Sequence, residues 1–220
     1  MNWFIQNIML VLGTIGALLP IVNPFSTIAL VMTIMNGMSE QERVVQVRRA
    51  CIYSFCILTA FLVAGGVIMN FFGISIPGLR VAGGMIVSYL GFRMLFPDSV
   101  AMSQQEQMEV TSKTDMSFTP LAMPSLSGPG SIAVVIGMSA SAQENGHVVV
   151  SHVMIALGIA VVAVISYVVL RAATGLSKKL GITGMNAMAK IMGFLLVCIG
   201  VQFMINGVLD VVRLVRAGAG

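Results

Sequence analysis

Charge is what this chain of 220 residues has least of: 9% of its residues are Asp, Glu, Lys or Arg, against 57% that are apolar. That leaves too little polar surface for a soluble globular domain and places the chain in lipid. Three cysteines, Cys51, Cys56 and Cys198, have no metal-ligand spacing and read as small side chains within apolar segments. A Gly-rich phosphate loop with its Lys is missing, which excludes ATP-driven transport by this chain alone. Also missing is any nucleophile–base pair or metal-ligand set, so no enzyme and no cofactor are expected. The two histidines, His147 and His152, have no acidic partners at ligand spacing. No basic cluster interleaved with aromatics supports a nucleic-acid partner, despite a formal charge of +4. Asp and Glu are absent from the centres of the apolar segments, which argues against a carboxylate-based proton pump.

What the chain does have is long apolar runs. A membrane-crossing helix needs about 20 mostly apolar residues, and six runs qualify: 4–33, 50–72, 76–96, 118–140, 148–170 and 186–210. The first is too long for a signal-peptide core and reads as a permanent span. Arg43, Arg48, Arg49, Arg93, Lys113, Arg171, Lys178 and Lys179 fall on one side of the membrane, against Arg213 and Arg216 on the other. The positive-inside rule then places both termini outside the cytoplasm. Trp3 stands where an interfacial aromatic anchor belongs. Residues 97–117, with Asp98, Glu106, Glu109 and Asp115, read as a solvated cytoplasmic linker.

Either side of that linker the chain repeats itself. "NPFSTIALV" (Asn23–Val31) aligns with "GPGSIAVV" (Gly128–Val135), and "GMIVSYLGFR" (Gly84–Arg93) with "GFLLVCIGVQ" (Gly193–Gln202). Three spans per copy is an odd number, so the second copy enters the membrane from the opposite side. The expected fold is therefore an all-α integral membrane protein, six transmembrane helices in a 3+3 inverted repeat, residues 1–96 and 118–220.

The first and fourth spans are spoiled in the same way. Pro20 and Pro24 are expected to free carbonyls near residues 16–20, and Pro120, Pro124 and Pro129, with Gly128 and Gly130, to interrupt the fourth span. Broken backbone cannot face lipid, so it must line protein or a wet cavity. Each helix restart aims its first N–H groups into the gap, with Ser26, Thr27 and Ser131 as cap-like residues. Asn23 and Ser127 are candidate side-chain donors. Such a chamber suits a zwitterion the size of an amino acid. Small residues that merely allow close helix packing are the bland alternative. Arg80 and Lys190 fall inside spans and are candidate functional cations, although each has a stem long enough to snorkel to a headgroup.

The stretches "LLPIVNPFSTIAL", "FGISIPGLRVAGGMIVSYLGFRMLFP", "PLAMPSLSGPGSIA" and "MGFLLVCIGVQFMINGVL" resemble the MarC/SnatA family of six-span bacterial inner-membrane proteins, over almost the whole chain. The resemblance implies a neutral amino acid transporter that takes solutes such as glycine and alanine. It implies a substrate held at Asn23, Pro24, Ser26, Thr27, Ser127, Gly128, Pro129 and Gly130. Many relatives carry Asp where this chain has Asn23, so cation coupling through that carboxylate is not expected here. The leading expectation is a secondary transporter of a small neutral amino acid or similar metabolite, with the lipid bilayer as its surroundings. The alternative is a non-transporting stress-response or partner-binding membrane protein. Oligomeric state is not legible.

Overall fold

The structure is a computed structural model describing residues 3–35, 37–96, 116–144 and 148–218, and every described element is helical. The order is α1 (Trp3–Val22), α2 (Pro24–Ile34), α3 (Glu40–Phe72), α4 (Ile76–Leu95), α5 (Ser117–Leu126), α6 (Pro129–Glu144), α7 (Val148–Arg171) and α8 (Ala173–Gly218). Most of the linker, its acidic residues, Lys113 and His147 lie outside the described residues, as do the side chains of Trp3 and Lys178.

Two segments that fall between the expected spans are helix. "SEQERVVQVRR" opens with a capping box, in which the Ser39 hydroxyl accepts from Glu42 N–H at 3.3 Å and the Glu42 carboxylate accepts from Ser39 N–H at 2.9 Å. With that start and good helix formers behind it, α3 begins about ten residues before the expected boundary at 50. Its 33 residues span about 50 Å, more than a hydrocarbon core of about 30 Å, so its charged first turns project beyond the apolar layer. "RAATGLSKKLG" is likewise mostly helical, up to a kink at Gly181, whose φ of 63° interrupts α8. At the other end of α3, Gly73 (φ 64°) lets Ile74 N–H reach Met69 O at 2.9 Å. Ser75 then caps α4 through Gly78 N–H. The link between those helices is therefore only three residues long.

Four stretches are long and apolar enough to cross a membrane: Ile5–Ile34, Glu40–Phe72, Val148–Arg171 and Thr183–Arg216. A fifth joins Ser117–Leu126 to Pro129–Ala142 through a 62° bend. The expected third span, α4, is a 20-residue helix that falls short of that apolar standard, because Arg80, Arg93 and four glycines dilute it.

The helices enclose a core that includes Leu18, Ile28, Leu58, Leu121, Ile155 and Leu196, all buried. Exposed apolar side chains such as Val63, Val67, Phe71 and Val149 cover the outside, as lipid contact requires. α3 packs on α7, and α4 runs antiparallel along α8. The register of that second pair is set by glycines seven residues apart. A Cβ on Gly84 would lie 2.5 Å from Gly200 O, one on Gly91 2.6 Å from Gly193 O, and one on Gly207 2.8 Å from Pro77 O. Two turns of helix separate successive glycines, so they form a stripe along which the two backbones touch.

Candidate functional site

The first break falls at a single residue. Pro20 stays inside α1, and the chain turns at Asn23, which adopts left-handed backbone (φ 39°, ψ 70°) before Pro24 opens α2. Asn tolerates this region better than most residues because its short side chain bonds locally. Its Oδ1 accepts from Ser26 N–H at 3.3 Å, and its Nδ2 donates to Ser26 Oγ at 2.8 Å and to Met94 Sδ at 3.3 Å. Asn23 is therefore the N-cap itself, while Ser26 and Thr27, expected as caps, sit within the first turn. The break lies beyond the carbonyls of residues 16–20, where the two prolines were expected to open the helix.

The second break is longer. Thr119 and Met123, each preceding a proline, take extended backbone, as the clash with the proline ring demands. Both following peptide bonds are cis. The segment between is wound wider than an α-helix, so that Ser127 N–H reaches back five residues to Ala122 O at 2.8 Å. The Ser127 hydroxyl donates to the same carbonyl at 2.7 Å and is fully buried. Gly128 permits a close approach that a side chain would block, since its Cβ would lie 2.7 Å from Pro124 O. α6 then starts at Pro129.

The two breaks meet in space. Thr27 Oγ1 donates to Asn23 O at 3.3 Å and lies 3.1 Å from Ser125 Oγ. Thr27 and Ser125 each carry one hydroxyl proton, and either can be the donor across this bridge. A cavity of about 410 Å³ opens beside it, lined from the first break by Asn23, Ser26 and Thr27 and from the second by Pro124, Ser125, Gly128, Pro129, Gly130 and Ser131. Of the residues expected at the site, all but Pro24 and Ser127 line this cavity; Pro24 is buried behind it and Ser127 is turned toward Ala122. Arg93, Met94 and Ser125 line it without having been anticipated as site residues. Nothing in the spacing separates Ser125 from Ser127, because the wide winding decides which serine faces inward.

The cavity offers complementary chemistry. Gly130 and Ser131 belong to the first turn of α6, where backbone N–H groups have no carbonyl within the helix. Together with the Arg93 guanidinium they form an anion-attracting wall. Ser131 Oγ donates to Gly128 O at 2.9 Å, and a hydroxyl oxygen has two lone pairs, so Ser131 and Ser125 both keep acceptor capacity at the cavity.

The two intramembrane cations have different surroundings. Lys190 is exposed on α8 and lines neither this cavity nor the one around Arg80, which agrees with a stem that snorkels. Arg80 is paired with Asp210 through Nη1 and donates from Nη2 to Ser141 Oγ at 2.6 Å, which joins α4, α8 and α6. Asp210 lies 130 residues along the chain from Arg80, so no local spacing points to it as the partner. Among the described residues no group of His, Cys, Asp and Glu is arranged to hold a metal.

An all-helical chain whose apolar helices are interrupted twice around one polar cavity is an integral membrane protein. Residues 8–212 match the sequence model of the MarC family integral membrane proteins, and the chain belongs to that family. Inner membrane proteins MarC of Escherichia coli O1:K1, Salmonella paratyphi B and Salmonella typhi are each 42% identical to it over 204 residues, which cover 89% of this chain and 92% of theirs. No solved structure matches.

Proposed function

We propose that this chain is a secondary transporter of the bacterial inner membrane, moving a small neutral amino acid or similar metabolite by alternating access, with both termini periplasmic. The observation that carries the reading is the Thr27–Ser125 hydroxyl bridge, which joins two helix breaks 98 residues apart at the wall of one cavity. At about 410 Å³ the cavity is within the range of small-molecule sites. A solute carboxylate would sit on Gly130 N–H, Ser131 N–H and Arg93, and its ammonium on the Ser125 and Ser131 oxygens.

The packing supports a six-span 3+3 inverted repeat. Exchanging Gly84 with Gly193 and Gly91 with Gly200 carries the Gly84–Gly200 contact into Gly91–Gly193, as a two-fold axis between α4 and α8 requires. The same exchange relates the α4–α6 contact to α8–α2, and α3–α5 to α7–α1. A second cavity, around Arg80, shares no lining residue with the first. Between them α4 touches α6, with a Cβ on Gly83 only 3.2 Å from that of Ala133. Parting that contact in one state and closing the break-side cavity in the other would give alternating access.

The test is counterflow of labelled glycine, alanine, serine and threonine into proteoliposomes, with the Thr27→Val/Ser125→Ala protein beside the native one. The expected result is exchange by the native protein only, with the variant equally folded. Exchange unaffected by the variant would move the site elsewhere, and no exchange of any of the four by folded native protein would remove this substrate class.

A further inference from the structure

We infer that the cavity around Arg80 is a second solute site, one that captures a small carboxylate and best suits a zwitterion. The cavity measures about 440 Å³. Arg80 is 30% exposed and Arg213, at the same cavity, 79%, so the cavity opens to the outside of the protein. Its lining holds three charges: Arg80, Arg213 and Asp210. One carboxylate cannot neutralise two guanidiniums, and the lining keeps a surplus positive charge that a solute carboxylate would complete.

The geometry shows where that carboxylate would go. Asp210 is committed to Arg80 through Oδ2, while its Oδ1 lies 3.8 Å from Arg213 Nη1, the outer edge of an ion pair. Arg213 is 79% exposed and loosely held, so it can turn to another carboxylate at little cost. Arg80 uses one donor on Asp210 and one on Ser141, out of the five N–H groups of a guanidinium. A small carboxylate bridging Arg213 and the remaining Arg80 donors leaves Asp210 beside it for an ammonium, with the hydroxyl of Ser151 also at the wall. A plain anion would satisfy the surplus charge alone, whereas an α-amino acid would satisfy both signs. The site needs no transport to exist, so it stands or falls separately from the proposed activity.

The experiment places a fluorophore in the cavity. Phe203, which lines it, is changed to Trp in a Trp3→Phe background, and the purified full-length protein is titrated with glycine, acetate and ethylamine. The expected result is a saturable signal with glycine, a weaker one with acetate and none with ethylamine. Arg213→Gln should weaken glycine binding about tenfold, and Thr27→Val/Ser125→Ala should leave it unchanged. A response indifferent to Arg213→Gln, a response lost in the Thr27/Ser125 variant, or no saturable response would overturn the site. Should Phe203→Trp fail to fold, calorimetric titration of glycine into Thr27→Val/Ser125→Ala protein, with and without Arg213→Gln, decides on the same criteria. Glycine binding here without counterflow would remove the proposed transport substrates and leave this site, and counterflow without this binding would do the reverse.

Discussion

Gly200→Ala is the sharpest test of how α4 and α8 are held. The added methyl would lie 2.3 Å from Ser88 Oγ, 2.6 Å from Gly84 O and 2.6 Å from Ser88 N, where ordinary contact begins at 3.4 Å. Two of those atoms are backbone, so rotating a side chain cannot relieve the clash. The helices must part by most of an ångström, and neighbouring contacts along the glycine stripe then lose a quarter to a half of their dispersion energy. Between helices in lipid that packing is the main attraction, because burial against apolar tails gains nothing. The expected cost is about 2–3 kcal/mol. Gly13→Ala is the control, with nothing within 4 Å of the new methyl in an α1 interior, and should stabilise by about 0.5–1 kcal/mol. The assay is unfolding of the purified protein in mixed micelles with rising SDS, followed by far-UV circular dichroism. Gly84→Ala combined with Gly200→Ala should cost clearly less than the sum of the two, since helices already apart have room for the second methyl. Equal stability of Gly200→Ala and Gly13→Ala would refute the reasoning.

Asn23→Ala should lower stability by about 2 kcal/mol, from a lost cap and a non-glycine residue left in αL backbone, while Asn23→Gly should recover the backbone part; equal losses in the same SDS titration would show that Asn23 acts through its side chain alone. Asp210→Asn leaves the Arg80 cation without its partner and should cost on the order of 1–2 kcal/mol, less than for a fully buried pair because both side chains reach solvent. Adding Arg80→Gln should restore part of that loss, and a further loss instead would mean that Arg80 is held by something other than Asp210.

Membrane residence and the presence of two helix breaks were legible in the residues themselves, from apolar length and proline's missing N–H. The exact place of the first break, at Asn23 rather than at the carbonyls of residues 16–20, and which glycines touch across α4 and α8 were not. Helix ends were legible only in part. The Ser39–Glu42 capping box was present to be read, but the expected start at 50 followed the apolar run alone, although a helix can carry charge out past the apolar layer. The inward-facing serine was not legible, because Ser125 and Ser127 differ only through a wide winding set by extended backbone at Thr119 and Met123.

The sequence by itself determined that this chain is a helical membrane protein interrupted twice. Only the tertiary structure decided that Thr27 meets Ser125 across 98 residues, that Arg93 faces the cavity they share, and that Arg80 pairs with Asp210 rather than standing alone. The physical reason is range. Caps, kinks and apolar stripes are set within a few residues of one helix, whereas the partner of a charge such as Arg80 is chosen by the antiparallel register of two helices, which their glycines fix only once they touch.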